Sequence, residues 1–145
     1  MTRASDLAKL IGAGATINDG TTITTADNTD QLTLISTDAD ASRGPRLALT
    51  RNSASPADND VAGTIKFNAK NDAAEDIELF EINTTLTDAS DGTEDSKMTI
   101  NGIKGGASTN RVNLNNTETV FNEDGADIDF RVEGDTNTHA LFVQA

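Results

Sequence analysis

The stretch Asp76-Ile-Glu-Leu-Phe-Glu-Ile-Asn-Thr84 carries a strand pattern with a change of phase in this chain of 145 residues. Ile77 and Leu79 alternate with acidic residues, and the apolar positions then shift phase to Phe80 and Ile82. An alternation with a period of two is typical of a half-buried β-strand. The shift of phase indicates either a β-bulge or a strand that is buried on both faces.

Nine further runs with period-two alternation lie on either side of this stretch. They are Thr21–Thr25, Gln31–Thr37, Arg46–Arg51, Gly63–Ala69, Lys97–Asn101, Arg111–Asn115, Thr117–Asn122, Asp127–Glu133 and His139–Ala145. Clusters of Asp, Asn, Ser and Gly separate them, and these residues favour turns because they bond the local backbone or tolerate a positive φ. The chain is therefore predicted to be all-β, with many short antiparallel strands in a β-sandwich or an interleaved trimeric β-fibre or knob.

A single helical pattern precedes the strands. Leu7, Leu10 and Ile11 follow the spacing of one helix face, and glycines come directly after them. We predict a short N-terminal helical segment over residues 1–14 and a β-rich domain over residues 15–145. Because so short a helix is marginal in water, it must dock, either as a cap on the core or as an attachment helix in a larger assembly.

The composition places the chain at the boundary between folded and disordered proteins. Leu, Ile, Val and Phe make up about 21% of the residues, and the net charge is −13. Chains with less than roughly 20% of these residues and a high net charge are expected to be disordered. Since the strand pattern argues against disorder, we expect the thin core to be completed by other copies of the chain.

Several classes of function have no support in the sequence. The chain has no Cys, Trp or Tyr and one histidine, His139, so it offers no thiol chemistry and no pair of histidines for a metal. The excess of acidic residues repels nucleic acid, and no apolar run reaches the roughly 18 residues of a membrane-spanning helix. The apolar stretch of a secretory signal is also missing. We therefore expect a protein that is not an enzyme, with no cofactor and no catalytic residues.

Closely spaced acidic residues raise the alternative of calcium binding. The pairs Asp38/Asp40 and Asp58/Asp60 and the group Asp124, Asp127 and Asp129 supply oxygens at short spacing. None of them matches the twelve-residue EF-hand loop, and Asp127 and Asp129 alternate with apolar residues as on the solvent face of a strand. We expect solvated turns and faces without a metal, and the alternative is a secreted, acidic, calcium-dependent binding module.

Three stretches together resemble fibre-like virion proteins of marine tailed bacteriophages. The opening Arg3–Gly12 is similar to the start of such proteins, and Gln31–Asp60 resembles their β-rich shaft or knob modules. Val120–Val143 is similar to the segment that precedes the C-terminal chaperone domain of many tail fibres. The likeness covers most of the chain, and its motifs are compositional and strand-like.

This resemblance implies a non-enzymatic structural protein that forms a homotrimeric, β-rich tail fibre or tail-associated appendage. A head fibre or capsid decoration protein fits the length equally well. The implied partners are further copies of the chain and other virion proteins, with a host surface receptor as an additional candidate. The implied location is the exterior of a particle assembled in the host cytoplasm.

The residues expected at the contact between copies lie in the last predicted strands, where apolar residues are dense. They are Ile128, Phe130, Val132, Leu141, Phe142 and Val143.

Overall fold

The computed structural model describes residues 19–132. The chain divides between Leu47 and Ala48 into two compact units, which are described separately. In the first unit, residues 19–47 contain no strand, so the predicted strands Thr21–Thr25 and Gln31–Thr37 are wrong. The predicted strand Arg46–Arg51 is also wrong, since residues 19–59 hold no strand at all.

Local side-chain hydrogen bonds replace strand pairing in the first unit. The Asp27 carboxylate accepts bonds from the hydroxyls of Thr25 and Thr29, at 2.7 and 2.5 Å, and from the Thr29 amide at 3.0 Å. Asp40 accepts a bond from the Ser42 amide in the same manner. Such bonds offer the backbone an alternative to a ladder, which explains why period-two alternation did not suffice here. Ile35 remains 78% exposed.

The second unit is built around one five-stranded antiparallel sheet, which confirms the all-β prediction. The strands are β1 (Asp60–Lys70), β2 (Asp76–Asp88), β3 (Asp95–Lys104), β4 (Ala107–Leu114) and β5 (Thr119–Phe121). Their order in the sheet, β1-β2-β3-β4-β5, follows the sequence, so each strand pairs with the next one along the chain. The five runs predicted within residues 63–122 each coincide with or overlap one of these strands.

A β-bulge explains the phase shift in β2. The pairing with β1 passes from Phe67 opposite Phe80 to Asn68 opposite Glu78, so Leu79 is the extra residue. An inserted residue offsets the alternation by one position. Ile77 and Leu79 therefore point to the same face of the sheet as Phe80. Of the two explanations offered for the phase shift, the structure confirms the β-bulge.

Two glycines form the tight turn between β3 and β4. Gly105 and Gly106 have φ values of +58° and +84°. A two-residue hairpin of type I′ requires positive φ at both central residues, which side chains with a Cβ adopt only at a cost. The turn-forming residues between the predicted strands Lys97–Asn101 and Arg111–Asn115 therefore contain a tight turn, as expected.

A third glycine makes room for an aromatic ring on the adjacent strand. Gly102 lies directly opposite Phe80 in the ladder between β2 and β3. A Cβ placed on Gly102 would lie 2.6 Å from Cε1 of the Phe80 ring. The ring therefore lies over the bare glycine backbone, and Gly102 is the only buried residue between positions 19 and 132.

This close contact makes Gly102→Ala a sensitive test of the pairing. The added methyl group would displace the Phe80 ring, and overpacking of this kind costs about 1–3 kcal/mol. We expect the free energy of unfolding to fall by that amount in urea denaturation at fixed protein concentration. In a Phe80→Leu background, which removes the ring, the same substitution should cost clearly less. Equal costs in the two backgrounds would contradict the contact.

The hydrogen bonds of Thr29 and Thr25 lower the pKa of Asp27 from its ordinary value of 3.8 to about 2. Because the folded pKa lies below the ordinary value, the turn is favoured above about pH 4 and loses this contribution as the pH falls through about 2. We expect an NMR titration of the Asp27 carboxyl carbon to show this low pKa. Thr29→Val should raise it and Thr33→Val should leave it unchanged. Titration of the wild-type group near 3.8 would refute the arrangement.

Candidate functional site

One row of apolar side chains crosses all five strands in register. Ile65 in β1 pairs with Ile82, which pairs with Ile100 in β3. Ile100 in turn pairs with Val112, and Val112 pairs with Phe121 in β5. Residues directly opposite each other point to the same face of a sheet. The row therefore forms a continuous apolar band across the width of the sheet.

Neighbouring positions widen this band into a surface. Phe67 and Phe80 form one opposed pair beside the row, and Met98 and Leu114 form another on the other side of it. We call the row and its flanks the apolar face, defined by Ile65, Phe67, Phe80, Ile82, Met98, Ile100, Val112, Leu114 and Phe121. None of these strand positions carries a charged side chain.

The opposite face of the same sheet is polar. Thr64, Asn83, Thr99 and Asn113 are paired in succession across β1 to β4. Beside them the Lys66 ammonium lies 2.7 Å from the Glu78 carboxylate and 3.3 Å from that of Glu81. Hydrogen bonds from Lys66 to these two carboxylates raise the pKa of the lysine. The residues of this face are mostly polar and half-buried, and the Oδ1 atoms of Asn83 and Asn113 are shielded from solvent without a hydrogen-bond partner.

The apolar face is largely uncovered. Phe67, Phe80 and Phe121 are each about half exposed, at 52%, 47% and 51%, and Ile65 is 41% exposed. No apolar side chain among residues 19–132 is fully buried. An antiparallel sheet with one polar face commonly packs its other face against a second layer. Within the part of the chain that the structure describes, this sheet lacks that layer over most of its apolar face.

Only the two margins of the apolar face receive cover. At the β1 margin, Leu49 lies over Gly63, with its Cβ 3.0 Å from the point where a Cβ on that glycine would lie. At the β5 margin, the Phe130 ring stacks on the Phe121 ring with centroids 4.8 Å apart. Aromatic pairs at this separation contribute about 0.5–1.5 kcal/mol beyond their buried area. The middle of the face, on β2 and β3, remains open.

The residues predicted to pack between copies fall partly within the described region. Phe130 and Val132 are 60% and 39% exposed, and Ile128 is half-buried. The strand predicted over Asp127–Glu133 is wrong, since residues 122–132 contain no strand. Leu141, Phe142 and Val143 lie outside the described residues, as do Leu7, Leu10 and Ile11 of the predicted attachment helix.

A side-chain amide holds this C-terminal segment in place of strand pairing. Asn122 has a φ of +62°, and its Nδ2 donates to the carbonyl oxygens of Ala126 and Ile128, at 2.7 and 3.3 Å. The segment thus turns back after β5 and does not add a sixth strand. Phe130 reaches the margin of the apolar face through this turn.

The central residues of the apolar face were not singled out by the sequence. The alternation places Ile65, Ile82 and Ile100 in three separate strands and does not indicate that their side chains are neighbours. They become neighbours through the register of the hairpins, which depends on the bulge at Leu79, the turn at Gly105 and Gly106, and the register shift at Arg111.

The closely spaced carboxylates accept hydrogen bonds from backbone amides or pair with a neighbouring arginine. Asp58 accepts a hydrogen bond from the Ala89 amide at 2.9 Å, and Asp60 forms an ion pair of 2.8 Å with Arg51. Asp124 likewise accepts a bond of 2.6 Å from the Asn110 amide. Residues 19–132 contain no group of three or more His, Asp or Glu side chains arranged to hold a metal ion. These carboxylates therefore fix the loops at the ends of the sheet.

Comparisons with family models, curated proteins and solved structures find no match for this chain. In the described part of the chain, no helix has the length and apolar character needed to cross a membrane. His139 lies outside the described residues. The apolar face is thus the candidate functional site, and what it can do is bind another apolar surface.

The Phe130 stack gives a direct test of the margin at β5. If this segment lies at a contact between copies, Phe130→Asp introduces a charge there and should lower the mass in solution toward the 15.2 kDa of one chain. Phe130→Leu keeps an apolar side chain and should preserve the wild-type mass. Light scattering after gel filtration measures both variants. An unchanged mass for Phe130→Asp would exclude this segment from the contact.

Proposed function

We propose that this chain is a non-enzymatic structural protein of a tailed-phage particle and forms a homotrimeric, β-rich, fibre-like appendage. The tail is the location proposed first, and a capsid decoration or head fibre is the alternative. The single observation that carries the structural role is the open apolar face of a sheet that has no buried apolar side chain among residues 19–132. The phage particle and the number of copies rest on the sequence resemblance.

The magnitude of the uncovered surface supports association. Full burial of a large apolar side chain contributes about 1.5–3 kcal/mol, so covering the exposed half of one adds about 1 kcal/mol. Six side chains of the apolar face are more than a third exposed, among them Phe67, Phe80 and Phe121. Covering all six would add about 6 kcal/mol, which is comparable with the whole stability of a small domain. A single copy with an open apolar face lacks this contribution to its free energy of unfolding.

The chemistry of the two faces supports a structural role over catalysis. The apolar face presents no side chain that could transfer a proton or act as a nucleophile. On the polar face, Lys66 is engaged by Glu78 and Glu81, and the carboxylates of Asp58 and Asp60 hold loop backbone or a neighbouring arginine. Lys66, Asp58 and Asp60 thus have partners within the fold, which is consistent with a structural role for these side chains.

The charge of the chain supports an exposed location. A net charge of −13 keeps the exterior of an assembly soluble and discourages nonspecific contact between assemblies. Copies that repel each other through their exteriors need one uncharged surface for contact. The apolar face meets that requirement.

The proposal is tested by the mass of the full chain in solution and by its place in particles. We expect light scattering at micromolar concentration to give three times the 15.2 kDa of one chain. We also expect antibodies against the chain to label the outside of intact phage particles in electron micrographs. A monomer that unfolds cooperatively would overturn the assembly, and particles free of label would overturn the virion location.

A further inference from the structure

We infer that the apolar face packs against the same face of other copies of this chain, so that β2 and β3 of each copy form the centre of the contact. The inference rests on the proposed function and deepens it by naming the surface through which copies meet. It differs from the expectation based on the sequence, which placed the contact in the last predicted strands.

The size of the face fits an interface between protein chains. Strands lie about 4.8 Å apart and rise about 3.3 Å per residue, so the shared length of β1 to β4 presents roughly 500 Å² on one side. A standard interface uses about 800 Å² from each partner. Leu49 and Phe130, which lie at the two margins and are 51% and 60% exposed, add apolar area to the roughly 500 Å² of the strands. The area counts the whole side of the sheet, with Thr84 and Thr109 included, and apolar patches of a few hundred Å² on a free surface are often functional.

The distribution of charge favours a second copy over a partner recognised by charge. The chain carries 24 acidic and 11 basic residues, so two copies repel each other wherever their general surfaces meet. The strand positions of the apolar face hold none of these charges, and two such faces can meet without opposing carboxylates. A basic partner would instead favour the acidic remainder of the chain.

The shape of the apolar face allows side chains of another sheet to pack into it. Phe67, Leu79, Phe80, Ile82 and Ile100 line one shallow hollow whose walls are apolar side chains. The Phe80 ring occupies the space over Gly102, with its Cε1, Cδ1 and Cζ atoms 2.6–3.1 Å from the point where a Cβ on that glycine would lie. Three such faces turned toward a common three-fold axis bring their apolar side chains together, as the inner faces of packed sheets do. Apolar side chains of one copy can therefore fill the hollow of another.

The absence of cysteine from the chain allows a test with single thiols. Met98→Cys places a thiol on the apolar face, and Thr99→Cys places one at the adjacent residue, on the polar face. Met98 is 39% exposed and Thr99 is half-buried, so in an isolated chain the Met98→Cys thiol should react at least as fast. The measurement is the rate of alkylation by a maleimide, with mass and circular dichroism recorded on the same samples.

If apolar faces meet, the Met98→Cys thiol reacts only when copies separate. At a concentration where nine-tenths of the chains are assembled, its alkylation should be about tenfold slower than that of the dissociated chain. Dilution below the assembly concentration should remove this protection, while Thr99→Cys should react at a constant rate. A variant that loses its strand signal is replaced by the pair Ile65→Cys and Lys66→Cys, which repeats the comparison on β1.

Each other outcome overturns the inference in a recognisable way. Rapid alkylation of Met98→Cys in particles of oligomeric mass would show that copies meet through another surface, and the proposed structural role would stand. Slow alkylation that persists in a species of 15.2 kDa would show that another segment of the same chain covers the face. Rapid alkylation in a chain that stays monomeric at all concentrations would refute both the inference and the proposed assembly.

Discussion

The structure depends on one constraint, which is that most apolar side chains of the sheet lie on a single face, with Val61, Ile103 and Val120 as exceptions on the other. The in-register row from Ile65 to Phe121 runs through every strand, and the polar row from Thr64 to Asn113 lies on the reverse side. Every side chain of the apolar row that stays exposed to water raises the free energy of the sheet. A sheet of this kind is complete only when a second layer covers it, and the described residues cover no more than its margins.

Three local features of the backbone bring apolar side chains from separate strands onto that face. The bulge at Leu79 corrects a phase shift that would otherwise divide the apolar residues of β2 between the two faces. The two-glycine turn and a second register shift, which leaves Arg111 as the extra residue, together set Ile100 opposite Val112. Gly102 accepts the Phe80 ring, which shields backbone that a bare glycine would leave open. Together these features direct the apolar residues of separate strands into one surface.

The polar residues, which dominate the composition, have a different role. Carboxylates and amides close the loops at the strand ends, as Asp58 does with Ala89 and Asn122 with Ala126. In the first unit the same chemistry at Asp27 replaces strand pairing altogether. A chain with few large apolar residues can therefore still be ordered locally, and the proposed assembly would add contacts between copies to this local order. This division fits an appendage built from several copies.

The sequence by itself determined the fold class, the strands between Gly63 and Asn122 and a phase shift in β2 that fits either a bulge or burial on both faces, because alternation and glycine placement are local properties of the chain. It did not determine which alternating runs become strands. Gln31–Thr37 and Asp127–Glu133 alternate as well as β4 does, yet they find no partner strand within the described residues, and side-chain hydrogen bonds hold their surroundings instead. The tertiary structure alone decided that Ile65, Ile82, Ile100, Val112 and Phe121 form one row, since that arrangement depends on the register of four hairpins. The physical reason is that periodicity shows which residues share a face of one strand, whereas only hydrogen bonding between strands decides which residues become neighbours.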